Sequence, residues 1–349
     1  MQPLAIDLAE VSKTYRGRVQ ALRGVSMQVS AGEVFGLLGP NGAGKSTLVK
    51  ILTTVVRPTA CRGRMLGAPV GHKPTLRRVG YLPEHHKFPE YLTGSQVLDF
   101  YGALAKVPRA QRRRRTEELL EIVGLSAWRH KKAGGFSKGM RQRLGIAQAL
   151  INDPDLVMLD EPTDGVDPVG RRDIRSLLVE LKGRGKTVFL NSHLLSELEM
   201  VCDRVAIMVK GVVVSQGTID ELTAYGRRYE IEVQPAAGAS GSLPAALRRA
   251  GLAGAAPGDA PRLASGASVE VEGPVLRVGT SEPEAVQGVI DALRAEGLTI
   301  RSVRQIRPSL EDLFMRAVTD PVTGRTLSPG AHVAGAPADP AGPPPAEAR

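Results

Sequence analysis

One nine-residue run constrains this chain more than anything else in it. Gly39-Pro-Asn-Gly-Ala-Gly-Lys-Ser-Thr47 fits the pattern Gly-x4-Gly-Lys-Ser. A buried apolar run at residues 33–38 precedes it, and a helical stretch at residues 46–53 follows. A strand that feeds a helix through such a loop makes an anion cradle. The glycines let successive backbone N–H groups turn inward around phosphate oxygens, and the helix N-terminus adds positive potential. Gly39, Pro40, Asn41, Gly42, Ala43, Gly44, Lys45, Ser46 and Thr47 are therefore candidate phosphate-binding residues. Lys45 is placed to reach β- and γ-phosphates, and the Ser46 hydroxyl to ligate Mg²⁺.

Partner carboxylates lie downstream. Leu156-Val-Met-Leu-Asp-Glu161 reads as a buried strand ending in two acids. Asp160 is expected to hold Mg²⁺ through water, and Glu161 to act as general base toward an attacking water. A lone Asp-Glu pair at a strand end is usually just solvated; the phosphate loop upstream reverses that reading.

The surrounding pattern is that of a parallel sheet covered by helices. Residues 5–11 alternate as a strand, residues 156–159 and 187–190 are short apolar runs of the central-strand kind, and residues 109–123 have a helical period. At about 150 residues per domain, a length of 349 leaves room for a second domain. Residues 228–233 and 298–306 read as its strands, and residues 268–272 and 274–278 as a hairpin around Gly273. Residues 243–250, 282–296 and 309–317 read as helices, and residues 251–266 as a loop rich in Ala, Gly and Pro. That order predicts a small α+β unit. Residues 319–349 hold seven of the 25 prolines and almost no large apolar side chains, so they are expected to be disordered. The divisions are thus residues 1–226, 227–318 and 319–349.

Composition excludes several classes. No apolar run approaches the roughly 18 residues of a membrane-spanning helix, which argues against a channel. The first ten residues lack a basic end followed by an apolar stretch, so a secretory leader is not expected. Two cysteines, Cys61 and Cys202, make neither a disulfide framework nor a four-ligand zinc site. A reduced, cytoplasmic protein is expected. The net charge is +10, and residues 109–143 carry eleven Lys or Arg against three Glu. Such a stretch suits nucleic acid or anionic lipid as well as a solvated helical face. Aromatic residues, at 4%, are too few for a base-stacking platform.

Further runs carry a resemblance. Ala133-Gly-Gly-Phe-Ser-Lys-Gly-Met-Arg-Gln-Arg143 is similar to the Leu-Ser-Gly-Gly-Gln signature of ABC ATPases. Pro162-Thr-Asp-Gly-Val-Asp167 resembles their D-loop, Asn191-Ser-His193 their switch histidine, and Gly80-Tyr-Leu-Pro-Glu84 their Q-loop. Tyr15 resembles the aromatic residue that stacks on adenine. Over about residues 4–225 the chain resembles the ATP-binding subunit of an ABC transporter. The resemblance implies an α/β P-loop NTPase fold with antiparallel β and helical subdomains, followed by the small α+β C-terminal domain. It implies ATP and Mg²⁺ as cofactors, with Ser46, Glu84 and Asp160 on the metal side and Glu161 and His193 catalytic.

Ser137 and the N–H of Gly139 open a helix and so form a second anion site. The resemblance makes this half of a head-to-tail homodimer with two ATP at its interface, Asp167 linking the sites. Three positions depart from the family pattern: Glu84 stands for Gln, Lys138 for the first signature Gly, and Met140 for its Gln. Residues 194–205 and Pro308-Ser-Leu-Glu-Asp-Leu-Phe314 resemble export-type subunits that pair with a separately encoded integral-membrane permease. The expected place is the cytoplasmic face of the cell membrane, and nucleic acid is not an expected partner. The competing reading is a soluble ABC-type ATPase acting on nucleic acid or ribosomes. The basic stretch favours it, but no coiled coil, zinc module or second ATPase half accompanies that stretch.

Overall fold

Apolar runs with no polar alternation become strands buried on both faces, and the centre of this molecule is built from them. The computed structural model describes residues 3–17, 19–223, 228–235, 247, 263, 267–319 and 332–333. One compact unit comprises Met1–Ile219 with Phe314–Arg349, and another comprises Asp220–Leu313.

In the first unit, Leu4–Tyr15 (β1) and Val19–Ser30 (β2) form a long antiparallel pair. Val34–Leu38 (β3) runs through the phosphate loop into Lys45–Leu52 (α1). The chain then returns as Ala60–Met65 (β4), which pairs with β1, and Ala68–Pro69 (β5). Val79–Leu82 (β6) precedes three helices, Gly94–Leu104 (α2), Arg109–Ile122 (α3) and Lys138–Ala149 (α4). Leu156–Asp160 (β7), Pro168–Gly183 (α5), Thr187–Asn191 (β8), Leu195–Val201 (α6), Arg204–Val209 (β9) and Val212–Thr218 (β10) follow.

The central sheet has the order β10-β9-β3-β8-β7-β6, parallel throughout except where β10 turns back on β9. All five residues of β3, β7 and β8 are buried, as strands covered on both faces must be. A core of Ile6, Leu8, Leu22 and Met27 from the antiparallel layer meets Phe35 and Phe189 from the central sheet and Leu48 from α1. The Phe35 and Phe189 rings stack with centroids 5.8 Å apart. Buried residues Ile174, Leu177, Leu178 and Leu181 give α5 its inward stripe, one apolar position every three to four residues.

The second unit opens with Ile219–Thr223 (α7), most of which belongs to it, and Arg228–Pro235 (β11). Ser268–Glu272 (β12) and Val275–Gly279 (β13) make a hairpin whose turn places Gly273 at φ 57°. Pro283–Ala295 (α8), Leu298–Ile306 (β14) and Leu310–Val318 (α9) complete the described elements. The sheet order is β12-β13-β11-β14, all antiparallel. Val286, Val289, Ile290 and Leu293 of α8 bury themselves with Ile231, Val269 and Leu276 of the sheet.

The expected helix at residues 243–250 and loop at residues 251–266 lie outside the described residues, apart from Leu247 and Leu263. So does most of the stretch 319–349. Within it, His332–Val333 pair antiparallel with Gln20 and Val19 on the outer edge of β2. Among the described residues, no helix is long and apolar enough to cross a membrane.

Candidate functional site

The parallel order of the sheet gathers the candidate residues. β3, β8, β7 and β6 are adjacent, so whatever follows their carboxyl ends lies in one row: the phosphate loop, then Asn191 to His193, then Asp160 and Glu161, then Glu84. Carboxyl ends of parallel strands are where α/β sheets hold ligands.

The loop needs its glycines for space. A Cβ on Gly39 would collide with the Met208 carbonyl. Gly44, at φ 106°, would place one 2.5 Å from the Ala21 carbonyl, so β2 closes over the loop from outside. Ala43 accepts a hydrogen bond from the Gly211 N–H at 2.9 Å, which ties the loop to the β9–β10 turn. Asn41 and Gly42 are exposed, Pro40 is half-buried, and Ser46 and Thr47 are half-buried in the first turn of α1. That turn carries no side-chain cap and no acidic residue, so its N–H groups face the loop uncompensated.

Lys45 is buried and donates to the Gly39 carbonyl at 2.7 Å and the Pro40 carbonyl at 3.4 Å. Burial pushes its ammonium below the ordinary lysine range, and the carboxylates of Glu161, Asp160 and Glu84 oppose that fall. The same field acts on Asp160. Burial raises its carboxyl, Glu84 and Glu161 add to the rise, and the Asn191 amide and Lys45 pull it back. Tyr81, desolvated beside Asp160 and Glu84, is pushed up to about 12. These shifts place Lys45, Asp160, Glu161, Glu84 and Tyr81 within one electrostatic neighbourhood.

Asn191 is the orienting group. Parallel register sets it opposite Asp160, and its Nδ2 donates to Asp160 Oδ1 at 2.5 Å. Glu161 sits at φ 51°, a left-handed conformation that a glutamate adopts only under constraint. The constraint is visible. Its N–H donates to the Asn191 carbonyl at 2.8 Å, and its carbonyl accepts from Gln142 Nε2 at 3.3 Å. Its carboxylate accepts from Ser192 Oγ at 3.2 Å and lies 2.8 Å from His193 Nδ1. The His193 imidazole is half exposed, while Glu161 is buried.

Ser137, Gly139 and Asp167 lie elsewhere. Ser137 Oγ caps α4 by accepting from the Met140 N–H at 3.2 Å, and Asp167 Oδ1 caps α5 by accepting from Gly170 at 2.8 Å. Ser137 and Asp167 are exposed, and Gly139 is half-buried. Among the described residues, no hydrogen bond or ion pair joins these three to the Lys45 cluster. Tyr15 ends β1, with Lys13 Nζ 4.9 Å from its ring centroid. Its partner strand β2 is the one that passes the loop at Ala21 and Leu22. Part of the basic stretch is committed within the chain: Arg112 pairs with Asp99 at 2.8 Å, and Arg115 with Glu118 at 3.2 Å. Asn191, Ser192 and Gln142 are the supporting residues that motif reading passed over as positions of their own. A polar residue ending a buried strand beside Asp160 is the signal that marks Asn191.

Comparison with known proteins agrees with this geometry. The sequence model described as ABC transporter matches residues 22–164. The chain is 38% identical over 336 residues to the ABC transporter ATP-binding protein sll0415 of a Synechocystis strain, covering 92% of this chain and 86% of that protein. This chain belongs to the ABC transporter ATP-binding proteins. It is also 33% identical to the Nod factor export ATP-binding protein I of a Rhizobium strain, over 94% of this chain and 99% of that one. The solved dimeric structure of MJ0796, a bacterial ABC transporter cassette, superposes with a TM-score of 0.56 at 26% identity, covering 61% of this chain and 98% of that one. As an ABC protein the chain is the ATP-binding subunit of a transporter, and its enzymatic activity is ATP hydrolysis coupled to transport.

Proposed function

We propose that this ABC protein powers export through a separate integral-membrane permease, as a homodimer on the cytoplasmic face of the membrane, closing around two Mg·ATP. One observation carries the reading. Lys45, Asp160, Glu161 and His193 converge at the carboxyl ends of adjacent strands, whereas Ser137 and Asp167 face outward from the same chain. The first group suits binding and cleaving a triphosphate. The second suits meeting the triphosphate of another copy. The dimeric cassette named above supports that arrangement, and the Nod factor export relative supports the direction.

In this reading the backbone N–H groups of residues 41–47 and the Lys45 ammonium bind the β- and γ-phosphates, and Tyr15 stacks on adenine. The donor set of Ser46, Asp160 and Glu84 is all oxygen, which suits Mg²⁺. Among the described residues no cluster of three or more His, Cys, Asp or Glu makes a self-contained metal site. That also fits a cation held by one or two carboxylates together with substrate phosphates. Bound there, Mg²⁺ neutralises charge on the phosphates. Glu161 takes the proton of the attacking water. His193 pairs with Glu161 through Nδ1, which leaves Nε2 to meet the γ-phosphate. Residues 227–318 serve as an accessory domain.

The test is ATP hydrolysis by the full chain with Mg²⁺ and with EDTA, together with the mass of the Glu161→Gln protein with and without ATP. Mg²⁺-dependent turnover and an ATP-induced doubling of mass are expected. Turnover in EDTA, or a mass that ATP leaves unchanged, would sink the metal or the dimer reading respectively. Membranes holding the cognate permease should stimulate turnover; inert membranes would count against coupling.

A further inference from the structure

Five of the first seven residues of α3 are arginine, Arg109 and then Arg112 to Arg115. A helix N-terminus is where cations are least favourable, and this one has neither a side-chain cap nor an acidic residue in its first turn. A run that breaks a local rule so plainly marks a place where something else settles the charge. Arg112 is answered within the chain by Asp99, and Arg115 by Glu118 and Asp153. Arg109 and Arg113 are exposed and have no ion pair among the described residues. They stand one turn apart on one face of α3, where they line a groove of about 680 Å³ together with Thr116, Glu117, Arg129 and Phe100 of α2. That volume is in the range of small-molecule sites. Thr116 is only 6% exposed, and its Oγ1 is buried without a hydrogen-bond partner. A hydroxyl left in that condition costs free energy until an acceptor or donor reaches it.

We propose that this groove binds the headgroup of an anionic phospholipid, with the phosphate between Arg109, Arg113 and Arg129, a headgroup oxygen on Thr116 Oγ1 and the adjoining apolar carbons against Phe100. Such binding requires neither ATP nor a permease, and it would hold the subunit at a membrane surface by its own contacts. Charge selects the anion. Three guanidiniums and His130 face two carboxylates in the groove, and one of these, Asp99, is already engaged by Arg112. Arg129 Nε donates to His130 Nε2 at 3.0 Å, which leaves the terminal N–H groups of Arg129 for a phosphate. Apolar exposure selects an amphiphile over a bare phosphate. Among the described residues four aromatic side chains are exposed: Tyr15, Tyr91, Phe100 and Trp128. Phe100 lines the groove, and Tyr91 and Trp128 immediately precede its lining residues Leu92 and Arg129. Lys131 Nζ lies 4.7 Å from the centroid of the Trp128 ring. Exposed aromatic rings beside basic side chains are the chemistry of a membrane–water interface.

The experiment is flotation of the full chain, without ATP, on phosphatidylcholine vesicles that contain or lack phosphatidylglycerol. Binding to the anionic vesicles alone is expected, and equal binding to both kinds would overturn the proposal. Arg109→Gln combined with Arg113→Gln should weaken binding about thirtyfold, the product of roughly fivefold per arginine. Arg57→Gln combined with Arg172→Gln makes the same charge change on exposed residues outside the groove and should stay within about twofold. Equal losses from the two pairs would mean diffuse attraction to the whole chain, and no site. Phe100→Ser should weaken binding about tenfold through lost apolar contact. Thr116→Val should raise the melting temperature, because it removes an unpartnered hydroxyl, and yet weaken vesicle binding about threefold. A higher melting temperature with unchanged binding would remove the headgroup from this groove. A random-sequence oligonucleotide that binds as tightly, with the same dependence on Arg109 and Arg113 but none on Phe100, would identify nucleic acid as the partner and overturn the lipid. Melting temperatures reveal misfolding, and Arg109→Gln alone, expected to cost about fivefold, replaces a double variant that does not fold. Flotation without ATP keeps this test separate from hydrolysis and dimer closure.

Discussion

Two regions of the first unit, one around Lys45 and one around Ser137, are built on opposite principles. Around Lys45 the three central charged groups, Lys45, Asp160 and Glu161, are buried and held by backbone or side-chain partners: Asn191 on Asp160, Ser192 and His193 on Glu161, loop carbonyls on Lys45. Around Ser137 the polar groups are exposed or half-buried, and they are occupied with capping their own helices. The first region is organised before ligand arrives, which is what electrostatic catalysis requires. The second has an anion-binding helix end and little enclosure of its own. The difference teaches that, in the proposed dimer, one chain would bring a finished half-site and an unfinished one.

The most forceful way to break this comparison is Glu161→Gln. The amide keeps the shape but not the base, so the hydrolysis rate should fall about 10²–10⁴-fold while ATP binding persists. Steady-state ATPase assays beside calorimetric ATP titration read both; parental turnover would remove Glu161 from catalysis. Next is Lys45→Ala, which leaves the loop backbone but deletes the point charge. ATP affinity should weaken by at least about tenfold, and unchanged affinity would mean the buried region does not hold triphosphate.

A smaller effect sharpens the electrostatic half of the contrast. Burial raises the Asp160 carboxyl above its unfolded value. Such a group favours the folded state below its unfolded pKa, and that contribution is lost as pH rises through the folded pKa. Asp160→Asn should therefore raise the melting temperature of nucleotide-free protein at pH 8 by about 2–4 °C. The gain should shrink as pH falls below the folded pKa of Asp160. A loss of stability at pH 8 would show that the surrounding cations already compensate the charge. The least costly change is on the exposed side. Ser137→Ala removes the α4 cap and should cost about 1 kcal/mol, read as a slightly lower melting temperature. No change at all would mean the hydroxyl is not engaged as a cap.

Much of this was legible in the residues. Runs of contiguous apolar residues identify β3, β7 and β8, because a strand covered on both faces has no polar alternation to obscure it. Gly273 marks its hairpin because a tight turn there needs positive φ. The catalytic candidates were legible because phosphate chemistry demands particular residue types at fixed spacing after a strand. The support was not. Nothing local in Asn191 says that it will face Asp160. That follows from the register of β8 on β7, set by strands 31 residues apart.

What the sequence determined by itself, then, is the loop, the strand and helix around it, and the carboxylates that must accompany them, since each is a matter of local chemistry. Tertiary structure alone decided the rest. Long-range strand order put Glu84, Asp160 and His193 in one row, bulged registers between β1 and β2 extended a short alternating run into a sheet that closes over the loop, and packing of α4 on the 161–167 turn gave Lys138 its Asp164. The physical reason is the same in each case. Periodicity and turn chemistry act over a few residues, whereas burial and charge pairing depend on which distant segments the core brings into contact.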